Sequence, residues 1–298
     1  MNASVNFEII SSVYITNSGI ALKNLRLVKA SVFNNVSSFY FYKYAIFKRF
    51  AEPKIKIDGI NNLMIHNHWS SGYHHWITES LVRLLGVNTQ EYNLIIPADY
   101  PKFAFETLST YSFKSVIKLP ARTGAFVEDL TIPFNPDSGF YQKKQLNAVK
   151  THFLSYYTIR VTAPVSKIYI TRKNAAKRKV ENEDMLMPIL EKFGFVVVDA
   201  DNLSFLEQIK LFSSCKILIS IHGAALTNCI FMHENTTILE LYKKNAFINC
   251  CYERMAKELN ISYTRLLCDC GANANAPVDI ADLIINVAEF ENILNKFE

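Results

Sequence analysis

Glycine and proline are scarce in this chain, with nine of each in 298 residues. Collagen-like repeats, flexible linkers and low-complexity tracts all need more of both, and the chain has no internal repeat. No apolar run approaches the ~18 residues of a membrane-spanning helix, and Met1-Asn2-Ala3-Ser4 does not open a signal peptide. The expected setting is therefore cytoplasmic, with the inner face of a membrane as a second location and a chain trimmed of its anchor left open. Charge of one sign is also lacking: 32 Lys and Arg against 27 Asp and Glu give +5. A nucleic-acid partner would call for a pI above ~9 and a clustered basic face, so none is expected. The small surplus suits an anionic small molecule or an anionic membrane surface. Six cysteines, Cys215, Cys229, Cys250, Cys251, Cys268 and Cys270, crowd into the last third. No pair has the two-residue spacing of a zinc hook, and they read as reduced thiols filling core space.

Half of the residues are hydrophobic, with 21 Phe and 15 Tyr, enough for one large or two medium domains with real cores. The most informative stretch is 216–242. Residues 216–221 are a β-branched apolar run, the composition of a strand buried on both faces. The run stops at His222-Gly223-Ala224-Ala225, and a second apolar run, 237–241, follows after a helix-length interval. Strand, small-residue turn, helix and strand make a βαβ unit, so the sheet should be parallel. Ligands of such sheets sit outside the carboxyl ends of the strands. Gly223 lets a backbone come close, and Ala224 and Ala225 keep the first helical turn slim, with N–H groups that could seat an anion. Glu240, placed at the same edge, could accept hydrogen bonds from a ribose diol.

The sequence from His222 to Met232, followed by Ile238-Leu239-Glu240-Leu241-Tyr242, resembles the C-terminal signature of glycosyltransferase family 61. Tyr169-Ile170-Thr171-Arg172, the pair Asn182-Glu183, Phe205-x-x-Gln208, and the run from Tyr73-His74-His75-Trp76 through Glu79 to Arg83 are also similar to that family. The resemblance covers about residues 65–268, with Ala225 standing where the family often has Gly. It implies sugar transfer from a nucleotide sugar to a glycan, such as a surface polysaccharide, or to a protein.

The C-terminal half reads as strands at 167–171, 195–198, 216–221, 237–241 and 262–267, with helices between, which is one doubly wound sheet. The N-terminal half reads as a second α/β series, with strands at 92–97, 115–119 and 125–132 and helices at 101–110 and 140–160. The expected fold class is thus α/β and GT-B-like, with two Rossmann-like domains facing across a cleft. Residues 1–162 form the acceptor side and 163–298 the nucleotide-sugar side, divided near Thr162-Ala163-Pro164. An amphipathic helix at 278–297 is expected to cross back to the first domain, by analogy with such transferases. Residues 1–60 read as strands, including 5–10, 12–16 and 32–50. The aromatic and basic segment 39–50 offers itself as a membrane-surface or acceptor patch, and a pair of sheet strands with solvated Lys and Arg is the reading preferred for it.

Four of the seven histidines lie between 66 and 75. Their spacing lacks ligand geometry, because adjacent residues on a helix point about 100° apart. No metal site and no cofactor are expected, with a divalent cation left open. From Tyr73 the spacing is helical, which puts His75 and Glu79 on one face and Trp76 and Arg83 on another. His75 and Glu79 are the candidate general base for the acceptor hydroxyl, with Trp76 and Arg83 on the acceptor side. Arg172 ends the first strand of the second half and opens a basic loop, 173–179, where a guanidinium could clamp a diphosphate. The donor-binding set is Arg172, His222, Gly223, Ala224, Thr227, Asn228 and Glu240, with helix packing as the competing role of Thr227 and Asn228. Inversion at the anomeric carbon would leave growing negative charge on the diphosphate for these groups to meet. An oxidoreductase on the same kind of sheet lacks its G-x-G-x-x-G. A non-catalytic nucleotide- or glycan-binding module is the alternative.

Overall fold

The computed structural model describes residues 7–134, 137–160, 163–271 and 275–297. The expectations placed on Met1 to Ser4, on Val5 and on Thr162 lie outside them. The chain divides into two compact units, 1–149 and 150–298. The division falls inside a helix because Phe153 packs edge-on against Phe205, with ring centroids 4.7 Å apart, in the second unit's interior.

The strands of the first unit are β1 (Phe7–Ile15), β2 (Ala21–Lys23), β3 (Arg26–Leu27), β4 (Lys54–Ile57), β5 (Asn62–Leu63), β6 (Asn93–Pro97), β7 (Ser115–Leu119) and β8 (Gly124–Pro133). They form one sheet in the order β3-β2-β1-β8-β5-β6-β7, with β4 also on β8. β8 is parallel to β4 and β5 but antiparallel to β1. The sheet is therefore mixed. Only its β8-β5-β6-β7 half has the parallel wiring expected of a Rossmann-like domain. Val13, Ile15, Met64, Ile95, Val127 and Leu130 meet beneath it in a core closed to water.

Segment 38–51 is a helix, α1 (Ser38–Ala51), and not a pair of strands. It anchors through the fully buried Phe41 and Ala45, four residues apart, onto Phe33, Ile20 and Leu22. Most of its other rings face water, so the apolar residues do not single out one buried side in the sequence. α2 (Tyr73–His75) is a single turn that widens into a π-turn over Trp76–Ser80 and tightens into a 3₁₀ turn over Leu81–Leu84. α3 (Lys102–Leu108) and α4 (Lys143–Tyr156) complete the helices up to the division.

The second unit is built from β9 (Ser166–Ile170), β10 (Phe195–Val198), β11 (Cys215–Ile221), β12 (Thr237–Lys243) and β13 (Ser262–Cys268). All pair in parallel, in the order β10-β9-β11-β12-β13. Renumbered within the unit this is 2-1-3-4-5, a doubly wound sheet whose strand order reverses between β9 and β11. α5 (Glu183–Lys192), α6 (Phe205–Ser213) and α7 (Cys251–Glu258) lie between strands. Ser204 and Glu207 close a reciprocal capping box at the start of α6. The run after Gly223 is 3₁₀, over Ala224–Phe231.

The terminal helix α8 (Val287–Asn295) is shorter than expected and stays with its own unit. Phe290 and Leu294 are buried among Leu186, Ile189 and Leu190 of α5, and Lys192 pairs with Glu291 at 2.7 Å. Its apolar face is thus already covered. The six cysteines are free thiols, four of them buried. No helix among the described residues is long and apolar enough to cross a membrane.

Candidate functional site

In a sheet wound 2-1-3-4-5, backbone N–H groups and helix starts crowd outside the carboxyl ends of the two strands that flank the reversal. Here those ends are Ile170, leading to Thr171 and Arg172, and Ile221, leading to His222 and Gly223. Glu183 at the start of α5 accepts from Tyr169 Oη and Thr171 Oγ1, both at 2.8 Å. The Tyr-x-Thr and Asn-Glu motifs are therefore one joint that fixes where β9 ends. Asn182 completes it by exchanging two bonds with the backbone of Ile285.

From that joint Arg172 reaches into the basic loop. Its Nε donates to the Arg178 carbonyl at 3.2 Å and its Nη2 to that of Lys177 at 3.4 Å, with Asp201 at 3.9 Å from Nη1. Arg172 thus shapes the loop that presents Arg178. Arg178 has positive φ, +57°, a left-handed turn that swings its side chain back over β11. Its Nη1 donates to the His222 carbonyl at 2.9 Å, and its Nε is buried without a partner. No carboxylate forms an ion pair with it among the described residues. Burial first and the neighbouring Arg172 second make its charged form harder to hold. An arginine in that state is a strong anion acceptor.

Gly223 explains why the motif needs a glycine here. Its backbone is extended, at φ 168°, which any residue adopts. The demand is for space, because a Cβ would lie 3.2 Å from Arg178 Nη1. Ala224 is exposed, at the start of the 3₁₀ turn. Beside Arg178 and His222 opens a cavity of ≈ 450 Å³, also lined by Tyr242, Asn245, Asn249 and Asp279.

His222 packs edge-on against Tyr242 and Tyr252, and its Nδ1 lies 2.7 Å from Glu240 Oε1. Glu240 does not reach the surface to meet a ribose. It is fully buried in the middle of β12, and its other oxygen accepts from Tyr263 Oη and from Arg265 Nε at 3.0 Å. Glu240 and Arg265 are register partners across β12 and β13. With both oxygens occupied, Glu240 orients His222 instead of holding ligand. Thr227 and Asn228 are likewise fully buried. Asn228 Nδ2 donates to Gln208 Oε1 at 2.8 Å, which accounts for the Phe205-x-x-Gln208 motif, and Thr227 bonds the Tyr252 hydroxyl. These two brace the turn and do not face a donor.

In the first unit, His75 Nδ1 lies 2.9 Å from Glu79 Oε1. Glu79 is buried and His75 partly exposed. Glu79 Oε2 accepts from Asn67 Nδ2 at 3.2 Å, and Asn67 is itself pinned, its N–H on Ser70 Oγ and its Oδ1 taking the Trp69 N–H. The chain Asn67, Glu79, His75 leaves His75 Nε2 without a partner among the described residues, with Trp69 tilted against the ring at 5.2 Å. Asn67 escaped the sequence reading because it sits twelve residues before Glu79, off any helical spacing.

Trp76 and Arg83 do share an orientation, but it is inward. Trp76 is fully buried and donates to Thr107 Oγ1 at 2.7 Å. Arg83 is 2% exposed and donates to the Ile65 and Ala30 carbonyls. Neither offers a surface to an acceptor. His66 is fully buried too, and its ring nitrogens make no hydrogen bond of normal geometry. His68 bonds Ser18 and Tyr40, and His74 bonds Tyr141. Among the described residues no three His, Cys, Asp or Glu side chains are grouped to hold a metal ion.

Both dyads fall within, or are completed just outside, the segment matched by a family model. That model, glycosyltransferase 61, covers residues 73–239. The chain is 34% identical over 109 residues to an EGF domain-specific O-linked N-acetylglucosamine transferase of Drosophila melanogaster, covering 34% of this chain and 20% of that protein. It is 29% identical over 134 residues to the Mus musculus protein of the same name, covering 42% and 25%. An alpha-1,3-arabinosyltransferase of Oryza sativa subsp. japonica is 32% identical over 72 residues, covering 23% and 12%. The matched segments span a quarter or less of these relatives' own lengths. The family model takes in more than half of this chain, and with it the Tyr169-to-Arg172 joint, the His-Gly turn and the His75–Glu79 pair: the chain belongs to glycosyltransferase family 61.

Proposed function

We propose that this protein is an inverting glycosyltransferase of the GT-B type, moving a sugar from a nucleotide-diphosphate donor to a hydroxyl of a glycan, such as a surface polysaccharide, or of a protein. The observation that carries the reading is Arg178: a half-buried guanidinium with no carboxylate ion pair among the described residues, braced by Arg172, set over Gly223 at the reversal of a parallel sheet. A diphosphate is the ligand such a seat fits. The second unit binds the donor. Arg178 and the N–H groups after Gly223 meet the diphosphate oxygens. His222, its Nδ1 held by Glu240, turns its Nε2 edge to the same donor. The cavity beside them takes the next part of the donor.

The first unit supplies the base. A carboxylate only accepts, so Glu79 fixes the proton of His75 on Nδ1 and leaves the Nε2 lone pair for the acceptor. In the reaction the acceptor O–H gives its proton to His75 Nε2. The acceptor oxygen bonds the anomeric carbon from one face as the bond to the diphosphate breaks on the other. The negative charge that develops on the leaving diphosphate falls on the arginine and the backbone amides, which is where electrostatic catalysis is most effective. The chemistry as written uses no metal. Six free thiols suit a reducing, cytoplasmic setting.

The test is a thermal-shift panel of nucleoside diphosphates and nucleotide sugars. A true donor at a hundredfold excess over its dissociation constant stabilises by about 2.7 kcal/mol, and Arg178→Ala removes that response. A panel with no responding member would sink the donor site. A responding donor that is never consumed with any hydroxyl acceptor would favour a binding module over an enzyme.

A further inference from the structure

The surplus charge of the chain is not shared between its halves. Residues 1–149 hold 15 Lys and Arg against 10 Asp and Glu, whereas 150–298 hold 17 of each. The whole net +5 therefore belongs to the first unit. Within that unit α1 carries three cations, Lys43, Lys48 and Arg49, and no acid. Glu52, just past its end, pairs with Lys48.

The same helix displays an unusual outer face. Phe39, Phe47 and Phe50 are 61%, 66% and 67% exposed, and Tyr40 and Tyr42 are exposed beside them. Positions 39, 43, 46, 47 and 50 follow i, i+4, i+7, i+8 and i+11, so they form one stripe along the helix. Phe41 and Ala45 bury the opposite side. Lys43 Nζ sits 4.4 Å over the Phe39 ring, whereas the Arg49 guanidinium lies back over Phe126 of the sheet at 4.4 Å, with Phe50 at 5.7 Å. Large rings held in water, contiguous on one face, mark a surface that meets something apolar. A basic group set among those rings specifies the sign of what lies beyond.

We propose that α1 lies on an anionic lipid bilayer, with Phe39, Phe47 and Phe50 in the boundary between headgroups and acyl chains and Lys43 among the phosphates. A second copy of the chain fits poorly. A two-fold contact would set this face against itself, bringing Lys43 of one copy towards Lys43 of the other with no acid from the helix between them. An anionic bilayer supplies both the apolar layer and the counter-charge. The proposal stands apart from the donor site, and either can fail alone.

The full chain is sedimented with vesicles of phosphatidylcholine plus phosphatidylglycerol and with vesicles of phosphatidylcholine alone. Binding is expected to the mixed vesicles, weaker by roughly tenfold or more to the neutral ones, and to fall with salt. Phe39→Ser, Phe47→Ser and Phe50→Ser together should lower partitioning by about a hundredfold, and Lys43→Glu alone by roughly tenfold. The replaced rings are exposed, so the melting temperature and the nucleotide response should stay as in the unaltered protein. Equal binding to both vesicle types, or binding to neither, overturns the proposal. So does a concentration-dependent dimer in light scattering that the triple replacement dissolves, which would assign the face to a second copy.

Discussion

His222 and Glu240 are joined at 2.7 Å by a carboxylate whose second oxygen is already held by Tyr263 and Arg265. A group so fully engaged cannot also serve a ligand, and its effect on one must pass through the imidazole. The first unit repeats the device with His75, Glu79 and Asn67. In each case a buried carboxylate fixes one ring nitrogen and leaves the other pointing away from it.

Glu240→Gln tests that transmission. Tyr263 and Arg265 both donate, so they claim the amide oxygen and turn the amide N–H₂ towards His222, where it meets Nδ1–H donor to donor. Nucleotide affinity should fall about tenfold, the worth of a charge-assisted bond. Adding His222→Gln should cost little more, since the two act as one unit. Full additivity in calorimetric titration would separate them.

Gly223→Ala places a Cβ against Arg178 Nη1. The guanidinium tip must shift, so nucleotide affinity should drop roughly tenfold, while the extended backbone keeps the stability change under about 1 kcal/mol. Unchanged affinity would mean that Arg178 is not the anion seat.

His75→Gln should lower turnover by about 10²- to 10⁴-fold, the usual size of a lost general base, with nucleotide binding intact. Glu79→Gln and Asn67→Ala should follow in descending order, because each acts one step further from the proton. The readout is nucleotide release from the donor with acceptor present. Equal effects from all three would indicate a folding defect instead.

His66 gives a dependence on acid. Burial, and after it the Arg83 charge, push its pKa down to about 3, with the carbonyls of Asn17 and Ile95 as its polar neighbours. Above pH ~6.5 neither folded nor unfolded chain protonates this ring, so its contribution is fully present. As pH falls below that, the unfolded chain takes up a proton that the folded one refuses until pH nears 3. Stability should decline by at most about 1.4 kcal/mol per pH unit from this residue across that window. His68 and His152 are lowered as well, so the check is the difference between the unaltered chain and His66→Leu. Parallel melting curves from pH 7 to 5 would remove His66 from the account.

The parallel sheet was legible in the sequence because its central strands are closed on both sides, which compresses each into a short, mainly apolar run such as 217–221. The turns at Arg172 and His222 followed from where those runs stop. Helix α1 was not legible. Most of its rings face water, so their spacing records what covers them and not the local core. Trp76 and Arg83 were expected to share an acceptor-facing side, but periodicity cannot say whether a face looks in or out. Glu240 was misread for a related reason. Its partners come from the neighbouring strand, 23 and 25 residues on, although Tyr263 and Arg265, two apart and so on one side of β13, were a signal that a buried acid was being answered. Arg178 was not singled out because it lies in a loop rich in lysines, where sequence alone does not show which cation turns inward.

The pairing of β1 with β8 carries a consequence for biosynthesis. Phe7 faces Pro133 across that ladder, so β1, paired with β2 only at Tyr14 and Ile15, must wait for most of its partners until the ribosome has delivered β8. The later half is wound from successive neighbours and can condense as it emerges. The order of translation therefore leaves the amino-terminal half to be sealed by long-distance closure, the slower kind, and destabilising changes in β8 should show first as lower yield of soluble protein.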